Sequence, residues 1–318
     1  MNDLGVNNSA NVKSMSYLSR AKRDLTIHKG LYLMLIPVLA YYIIFAYAPM
    51  YGAIIAFKDF SPIKGIMGSD WVGFAHFKAF FDSPYFVRVL RNTIVISVSS
   101  LLIGFPAPII LALLMNEMRQ MWFKKVVQTI SYIPHFISLV VVAGMIKSFT
   151  SDIGFINIFL TSLGITSGES MLTVPDYFLP IYVISDVWQN VGWDTIIYLA
   201  ALSSISNDLY EAARIDGAGR FRQLLSITLP SIVPTIVMLL VLRIGSLMSL
   251  GYEKIILLYN ELTYETADVI SSFVYRKGLL EADYSFSTAV GLFNSVINFL
   301  LVVTANSISR KLSDSSIW

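Results

Sequence analysis

Long apolar stretches recur along the chain and alternate with shorter polar segments. A helix needs about 20 mostly apolar residues to cross the hydrocarbon core of a bilayer, and six stretches approach or exceed that length. They run over residues 31–55, 93–115, 126–145, 179–202, 232–250 and 286–307. The pattern predicts an all-α integral membrane protein with six transmembrane helices.

The polar segments divide the chain around these stretches. Residues 1–30 form a polar arm, 31–86 hold the first span and the loop after it, 87–307 hold the other five spans, and 308–318 form a tail. The first span is too long for the apolar region of a signal peptide, and no small-residue cleavage site follows it. We therefore expect it to remain in the membrane as a helix.

Composition excludes several classes of function. Hydrophobic residues make up 55% of the chain and charged residues only 14%, whereas an average soluble domain carries about 25% charged residues. A net charge of +2 is too small to attract a polyanion, so nucleic-acid binding is excluded. The chain has no cysteine, and its three histidines lack metal-ligand spacing, so we expect no metal site.

Basic residues predict the orientation, because loops rich in lysine and arginine stay in the cytoplasm. With the N-terminus inside, the inner segments hold 13 basic and 7 acidic residues, and the outer segments hold 9 basic and 12 acidic. Arg88 and Arg91 are exceptions, since they flank the second span on its outer side. The pattern as a whole predicts that both termini lie in the cytoplasm.

The fourth span is too polar to face lipid, because a carboxylate at mid-bilayer costs at least about 2.5–3.5 kcal/mol. Its tryptophans offer flat faces on which sugars stack, and its amides can hydrogen-bond sugar hydroxyls. Hydrogen bonding between helices would explain the same residues, and it suits Asp186 and Asp194 better. The candidates for a substrate path are Trp188, Gln189, Asn190 and Trp193.

Two other spans carry candidates for the same path. Arg243 is the one basic residue well inside a predicted span, and we expect it to pair with Asp186 or Asp194. The alternative is that it binds an acidic sugar such as a uronate. Asn294 and Asn298 lie one helical turn apart in the sixth span, where sugar contact and packing between helices explain them equally well.

Prolines and glycines in the spans have structural explanations. We expect the prolines to kink the second and third spans, and the glycines to mark close packing. His135 is expected to make a structural hydrogen bond rather than to transfer protons. The prolines are Pro106, Pro108 and Pro134, and the glycines are Gly192, Gly245 and Gly251.

The segment 207–230, after the fourth span, predicts two short helices with a sharp bend along the cytoplasmic face. Asp208, followed three positions later by Glu211, is a helix-start signature with carboxylates near the positive end of the helix dipole. Gly217 can take the left-handed conformation that ends a helix. Pro230 stops the second helix or begins the next span. An ordinary amphipathic interfacial helix would show the same pattern.

This segment resembles the EAA loop of the permease subunits of ABC importers. The resemblance lies in Glu211-Ala212-Ala213, then Asp216-Gly217-Ala218, then Ile227-x-Leu229-Pro230 at the family spacing. The Asp-Gly-Ala continuation and the run Tyr132-Ile133-Pro134-His135 are similar to the carbohydrate branch, the maltose-type and complex-oligosaccharide permeases. The resemblance implies the type I permease fold, with residues 87–307 as the family's transmembrane domain of five helices.

The resemblance also implies that the segment is a coupling helix, which docks into a groove on a cytoplasmic ATPase subunit. Glu211 and Arg214 would make polar contacts, Ala212 and Ala213 would form the close-packed face, and Gly217 would supply the bend. The full set assigned to coupling is Glu211, Ala212, Ala213, Arg214, Asp216, Gly217, Leu229 and Pro230.

The family implies partners that supply what this chain lacks. They are a second, homologous permease, two ATPase subunits that bind ATP and Mg, and an extracellular solute-binding protein. The chain has no GxxxxGK[ST] motif, so we expect it to bind no cofactor and to be no enzyme. The binding protein would contact the outer loops 56–92 and 251–285. The second loop has a net charge of −3 from Glu253, Glu261, Glu265, Asp268, Glu281 and Asp283 against three basic residues.

The expected function is therefore that of a permease for oligosaccharides in the bacterial plasma membrane. Within the family, amino-acid, phosphate and metal permeases share the coupling loop, so a non-sugar solute is the main alternative. An ion-coupled transporter is a second alternative, with Asp186, Asp194, His135 and Arg243 as an intramembrane relay. It does not explain the coupling loop.

Overall fold

The computed structural model describes residues 26–312, and the chain divides into two units after Ile54. In the first unit, helix α1 (Lys29–Tyr42) continues through a π turn, Ile43–Tyr47, into α2 (Ala48–Met50). None of the residues in these three elements is buried. Most of the polar arm 1–30 and of the tail 308–318 lies outside the described residues.

The second unit is helical apart from one small sheet. Strands β1 (Lys58–Asp59) and β2 (Asp70–Trp71) pair antiparallel, with Lys58 opposite Trp71. Short 3-10 segments cover Tyr51–Phe57, Ile133–Phe136, Met171–Thr173 and Glu261–Thr263, and π turns cover Leu224–Thr228 and Arg276–Leu280. The helices are α3 (Gly65–Gly68), α4 (Ala75–Phe81), α5 (Phe86–Gly104), α6 (Pro106–Asn116), α7 (Met121–Tyr132), α8 (Leu139–Thr150), α9 (Phe155–Ser162), α10 (Pro175–Ser203), α11 (Asn207–Ile215), α12 (Arg220–Gln223), α13 (Leu229–Gly245), α14 (Tyr252–Leu258), α15 (Tyr264–Ala267), α16 (Ile270–Tyr275) and α17 (Tyr284–Leu312).

Five helical runs of the described chain are long and apolar enough to cross a membrane: Lys29–Phe57, Phe86–Asn116, Leu139–Ser162, Arg220–Gly245 and Tyr284–Arg310. The fourth predicted span lies on α10, whose 29 residues give a length of about 43 Å at 1.5 Å per residue. It is outside the apolar set because polar side chains interrupt it. The all-α membrane fold is therefore confirmed, with α10 as its most polar long helix.

The third predicted span, 126–145, is wrong in its bounds. Helix α7 ends at Tyr132, a 3-10 turn follows, and the backbone is extended at Ile137 and Ser138 before α8 begins. Pro134 lacks the N–H that would continue the α-helix. Apolar residues continue across this break, so hydropathy does not detect it. The helix of the second span is interrupted at Phe105, immediately before Pro106, but Phe105 keeps a right-handed helical backbone, so the kink expected there stays a prediction.

Helix α10 packs against α5, α6, α7 and α13, and its glycine allows the closest of these approaches. A Cβ atom at Gly192 would overlap the carbonyl oxygen of Ser131 in α7. A Cβ at Gly245 would lie 2.8 Å from the Val302 side chain of α17, whereas Gly251 has open space around it. Close packing is thus confirmed at the first two glycines and not at the third.

Candidate functional site

Helix α11 begins the predicted coupling segment. The Ser206 side chain caps it by accepting a hydrogen bond from the Asp208 backbone N–H at 3.2 Å. Asp208 lies in the first turn, as predicted. The expectation that Asp208 and Glu211 form the start signature is wrong in one respect, because the capping residue is Ser206, upstream of both.

Gly217 ends α11 with a backbone φ of +75°, which confirms the predicted left-handed bend. The Ala218 N–H donates to the Ala213 carbonyl at 2.8 Å, and the Gly217 N–H donates to the Arg214 carbonyl at 3.0 Å. This is the Schellman pattern, which satisfies the last carbonyls of a helix. A left-handed conformation is costly for residues with a Cβ, so the bend depends on glycine here.

The second arm of the segment is continuous with the fifth span. Helix α12 passes through the π turn Leu224–Thr228 into α13, and the whole run Arg220–Gly245 counts as one 26-residue helix. Of the two roles expected for Pro230, the second is confirmed, since Pro230 lies in the first turn of α13, whereas the first is not, since the helical run continues from Arg220 into the span. The π turn just before Pro230 changes the hydrogen-bond register, so the missing proline N–H does not break the helix. The fifth span also ends at Gly245 rather than at Leu250.

Two side-chain contacts hold the arms of the segment together. The Tyr210 hydroxyl lies 2.9 Å from the Thr228 hydroxyl, and Gln223 donates from its side-chain amide to the Ala218 carbonyl at 2.7 Å. The first contact joins α11 to the π turn, and the second braces the bend itself. Helix α11 is thus connected to the fifth span by the bend at residues 216–219 and by these two side-chain contacts.

The outer surface of the coupling segment is open. Glu211, Ala212, Arg214, Asp216 and Gly217 are exposed in the chain, while Ala213 is half-buried. Leu229 is half-buried and Pro230 exposed at the start of α13. Two large apolar side chains that the motif does not include also project here, Ile215 at 87% exposure and Phe221 at 73%.

A chain of polar contacts, which we call the polar chain, crosses the middle of α10. The Lys254 ammonium on α14 lies 3.5 Å from Asp186, and Asp186 accepts a hydrogen bond from the Asn190 amide at 3.1 Å. Asn190 then lies 3.1 Å from Nδ1 of His135, whose ring stacks on Trp193 at a centroid distance of 4.5 Å. The predicted structural hydrogen bond of His135 is thus present.

The polar chain orients the Asn190 amide. Its NH₂ group donates to Asp186, and its carbonyl oxygen, which can only accept, faces His135. The second contact is a hydrogen bond when Nδ1 of His135 carries the proton. Lys254 was missed by sequence reasoning, because the hydropathy pattern assigns it to the outer loop 251–285.

The structure separates the four candidates of α10. Asn190 and one face of Trp193 are engaged by His135, whereas Trp188 is 43% exposed. Gln189 is buried, with 8% exposure. The four residues therefore do not present one common surface in the single chain.

Two adjoining clefts meet at Arg243, between α5, α6, α10 and α13. The larger, of about 250 Å³, is lined among others by Asp194, Tyr198 and Arg243. The smaller, of about 180 Å³, is lined by Arg243, Asp186 and a group of serines, Ser97, Ser100, Ser246 and Ser249. The Ser100 hydroxyl is buried and has no hydrogen-bond partner within residues 26–312.

The predicted ion pair of Arg243 is not formed. Within the described residues, Asp186 forms a salt bridge with Lys254 rather than with Arg243. Arg243 is exposed in the single chain and makes no salt bridge with a described carboxylate. Asp186 contacts Lys254 instead, and Asp194, the other expected partner, lines a cleft together with Arg243 without forming a salt bridge within residues 26–312.

The two asparagines of the sixth span have different environments. Asn298 accepts a hydrogen bond from the Met248 N–H at 3.0 Å and donates to the Ser249 hydroxyl at 2.8 Å. It therefore holds the turn after α13 against α17. The side-chain oxygen of Asn294 is buried and has no partner in the described part of the chain.

The outer loop 251–285 is anchored by a buried carboxylate, and we call this group the Asp268 cluster. Asp268 is fully buried and accepts hydrogen bonds from Arg276 at 2.7 Å, Ser272 at 2.8 Å and Arg88 at 3.2 Å. Burial opposes the charge of Arg276, but the hydrogen bond and the charge of Asp268 outweigh it and raise the pKa of Arg276.

The Asp268 cluster corrects one prediction and explains one exception. Asp268 was expected on an acidic docking surface, but its side chain has no exposed area, so it does not contribute to one. Arg88 was an unexplained positive charge on the outer side of the second span. It is paired with Asp268, which accounts for its position.

Comparison with known proteins gives matches that cover most of the chain. The family described as "Binding-protein-dependent transport system inner membrane component" matches residues 104–314. Protein LplB of Bacillus subtilis (strain 168) is 47% identical, over 96% of this chain and 95% of the relative. The polygalacturonan/rhamnogalacturonan transport system permease protein YteP of the same strain is 45% identical, over 91% of this chain and 90% of the relative.

A solved structure matches the fold. A chain of a bacterial ABC transporter involved in the import of the acidic polysaccharide alginate has a TM-score of 0.84 and 46% identity to this chain. The match covers 92% of this chain and 99% of that chain.

Proposed function

Because the chain belongs to the family of binding-protein-dependent transport system inner membrane components, we propose that it forms one half of the translocation path of an ATP-driven oligosaccharide importer. A permease subunit of this family is not itself an enzyme. Its partners are a second permease, ATPase subunits that bind ATP and Mg, and an external solute-binding protein. The observation that carries the proposal is the exposed, braced bend at residues 207–230, continuous with a membrane span.

The coupling segment converts ATPase motion into movement of the spans. When two ATPase subunits close on ATP, the docked α11 of each permease is displaced. Since Tyr210 and Gln223 brace the bend, the displacement reaches α13 and shifts the equilibrium between inward-facing and outward-facing states. Glu211 and Arg214 serve as polar contacts to the ATPase, beside the alanines at 212 and 213. In this orientation both termini are cytoplasmic, as the excess of basic residues on that side favours.

The finer proposal concerns the substrate, which we assign to acidic oligosaccharides. Arg243 has no carboxylate partner within salt-bridge distance in the described chain, lies inside a span, and borders a cleft with the unpartnered hydroxyl of Ser100. A guanidinium inside the membrane domain must face protein or water, and it binds carboxylates by paired hydrogen bonds. The similar transporter imports the acidic polysaccharide alginate.

Transport kinetics test the substrate proposal. In vesicles that contain the whole transporter, we expect Arg243→Gln to raise the KM for an oligogalacturonate about 10- to 100-fold, the equivalent of one charge-assisted contact of about 1.5–3 kcal/mol. Arg243→Lys should retain part of the affinity, because it keeps the charge. An equal loss with a neutral oligosaccharide would show that Arg243 acts in folding or gating instead. Uptake that survives ATP depletion but stops with the ion gradient would reject the importer itself.

A further inference from the structure

The segment between the first two spans carries an exposed aromatic surface that the permease function does not explain. Phe57 stacks on Trp71 at 5.7 Å and meets Phe74 and Phe77 at 5.3 and 5.4 Å between ring centroids. We call these four residues the aromatic cluster. Trp71 is 63% exposed and Phe74 71% exposed. Single exposed apolar residues are common on protein surfaces, but exposed aromatic side chains that contact one another indicate an interaction surface.

Several backbone polar groups of the segment are paired with side chains. The Ser285 hydroxyl, in the first turn of α17, donates to the Lys58 carbonyl at 2.7 Å and accepts from the Phe60 N–H at 2.9 Å. Ser69 is buried and donates to the Gly65 carbonyl, also at 2.7 Å. His76 Nε2 lies 3.1 Å from the Lys58 carbonyl. These backbone groups therefore need little help from water, which is the requirement for a segment that enters a less polar medium.

The position of the segment points to its partner. Phe57, a member of the aromatic cluster, is the last residue of the membrane-spanning run Lys29–Phe57. The next run begins at Phe86, and α17, which holds the segment through Ser285, begins at Tyr284. The segment therefore follows one apolar run along the chain, precedes the next, and is held by hydrogen bonds to the first turn of α17. Tryptophan and other amphipathic aromatic rings concentrate where the hydrocarbon of a bilayer meets water.

We propose that residues 57–81 lie in the membrane–water interface and that the aromatic cluster inserts into the lipid headgroup region. The exposed face of Trp71 and Phe74 is buried in lipid, while Asp70, next to Trp71 on the same strand, points the other way because side chains alternate along a strand. The segment then helps to fix the depth of α17 in the bilayer. The proposal concerns lipid contact alone and is independent of the substrate proposal.

A spin-label experiment tests the proposal, and the absence of cysteine from the chain makes it direct. Phe74→Cys and, on the neighbouring turn, Met67→Cys place labels at exposed apolar positions of 71% and 80% exposure. Asp70→Cys is the matched control, since its side chain is 76% exposed and polar. The labelled chain is assembled with cysteine-free partner subunits in phosphatidylglycerol–phosphatidylethanolamine vesicles. Collisions with oxygen, which dissolves in lipid, and with a water-soluble nickel chelate are then measured.

We expect the ratio of oxygen to nickel collisions to be several-fold higher at Phe74→Cys than at Asp70→Cys. Met67→Cys provides a second reading if the first variant does not assemble. Equal ratios at the apolar and control positions would overturn the proposal. It would also be overturned if the Phe74→Cys label is accessible to nickel in vesicles and becomes protected only when the solute-binding protein is added. In that case the cluster is a protein-docking surface.

Discussion

Gly217 has a left-handed backbone and open space around it, so a substitution there tests whether coupling to the ATPase depends on the bend. A valine there has room for its side chain, since no atom lies within 4 Å of the position that its Cβ would occupy, but it cannot adopt a φ of +75° without strain. The left-handed conformation costs about 1–2 kcal/mol for a residue with a Cβ, and more when it is branched. We expect Gly217→Val to reduce co-purification of the ATPase and substrate-stimulated ATP hydrolysis about 10-fold.

Gly219→Val is the matched control for that variant. Gly219 lies two residues away, also has open space, and has a φ of −68° that any residue can adopt. We expect the Gly219→Val variant to co-purify with the ATPase and to support ATP hydrolysis nearly as well as the unmodified chain. Equal losses in both variants would mean that the added bulk, and not the bend, disturbs docking.

At Gly192 the backbone conformation suits any residue, but a neighbouring helix leaves no room for a side chain. Gly192→Ala would push α10 from the Ser131 backbone of α7, and overpacking of this kind costs about 1–3 kcal/mol. Gly291→Ala on α17 is the control, since its Cβ would meet nothing within 4 Å. Thermal unfolding of the purified complex should show a lower Tm for the first variant only. An unchanged Tm for Gly192→Ala would contradict the close approach.

At the scale of elements, the Asp268 cluster fastens the outer loop to α5. Asp268→Ala leaves two half-buried guanidinium groups without their carboxylate, and breaking a pair that is buried on one side costs up to about 3–5 kcal/mol. Glu265→Gln is the control, because its contact with Arg91 is 4.0 Å long and exposed on both sides, and such pairs contribute about 0–1 kcal/mol. Limited proteolysis of the assembled transporter should cut within 251–285 in the first variant only. Equal resistance of the two variants would show that the cluster does not hold the loop.

The sequence predicts the helices well because a long apolar run has few alternatives to a membrane helix. It also predicts the bend, since glycine after Arg214 and Asp216 is a local signal. Pro134 signals a kink in the third span, but hydropathy does not show that the α-helix ends at Tyr132 and begins again at Leu139, because apolar residues lie on both sides of the break. Nor does the sequence predict the pairing of Asp186 with Lys254, 68 positions away, which depends on how α14 packs against α10. Local chemistry could be predicted, and contacts between distant elements could not.

At the scale of the whole molecule, the spans are poorly covered by the chain's own residues. In the most apolar window of each of the five candidate spans, at most 22% of the residues are buried, and in the first span none are. Lipid covers part of this surface. A carboxylate and several hydroxyls line the clefts at Arg243, and contact of these groups with hydrocarbon would be energetically unfavourable. A second permease that covers this face would turn the clefts into the wall of an enclosed path.

Gentle affinity purification from the native membrane tests this assembly. We expect an ATPase subunit and a second six-span permease to co-purify, the two permeases in equal amounts, because each permease supplies one coupling segment and one wall of the path. The Gly217→Val variant should retain the second permease and lose most of the ATPase, since no residue of the segment 207–230 is among those that line the clefts. If the unmodified chain purifies alone or as a homodimer, still folded, the docking role of residues 207–230 is rejected. The polar chain from Lys254 to His135 would then be the place to look for an ion-coupled mechanism.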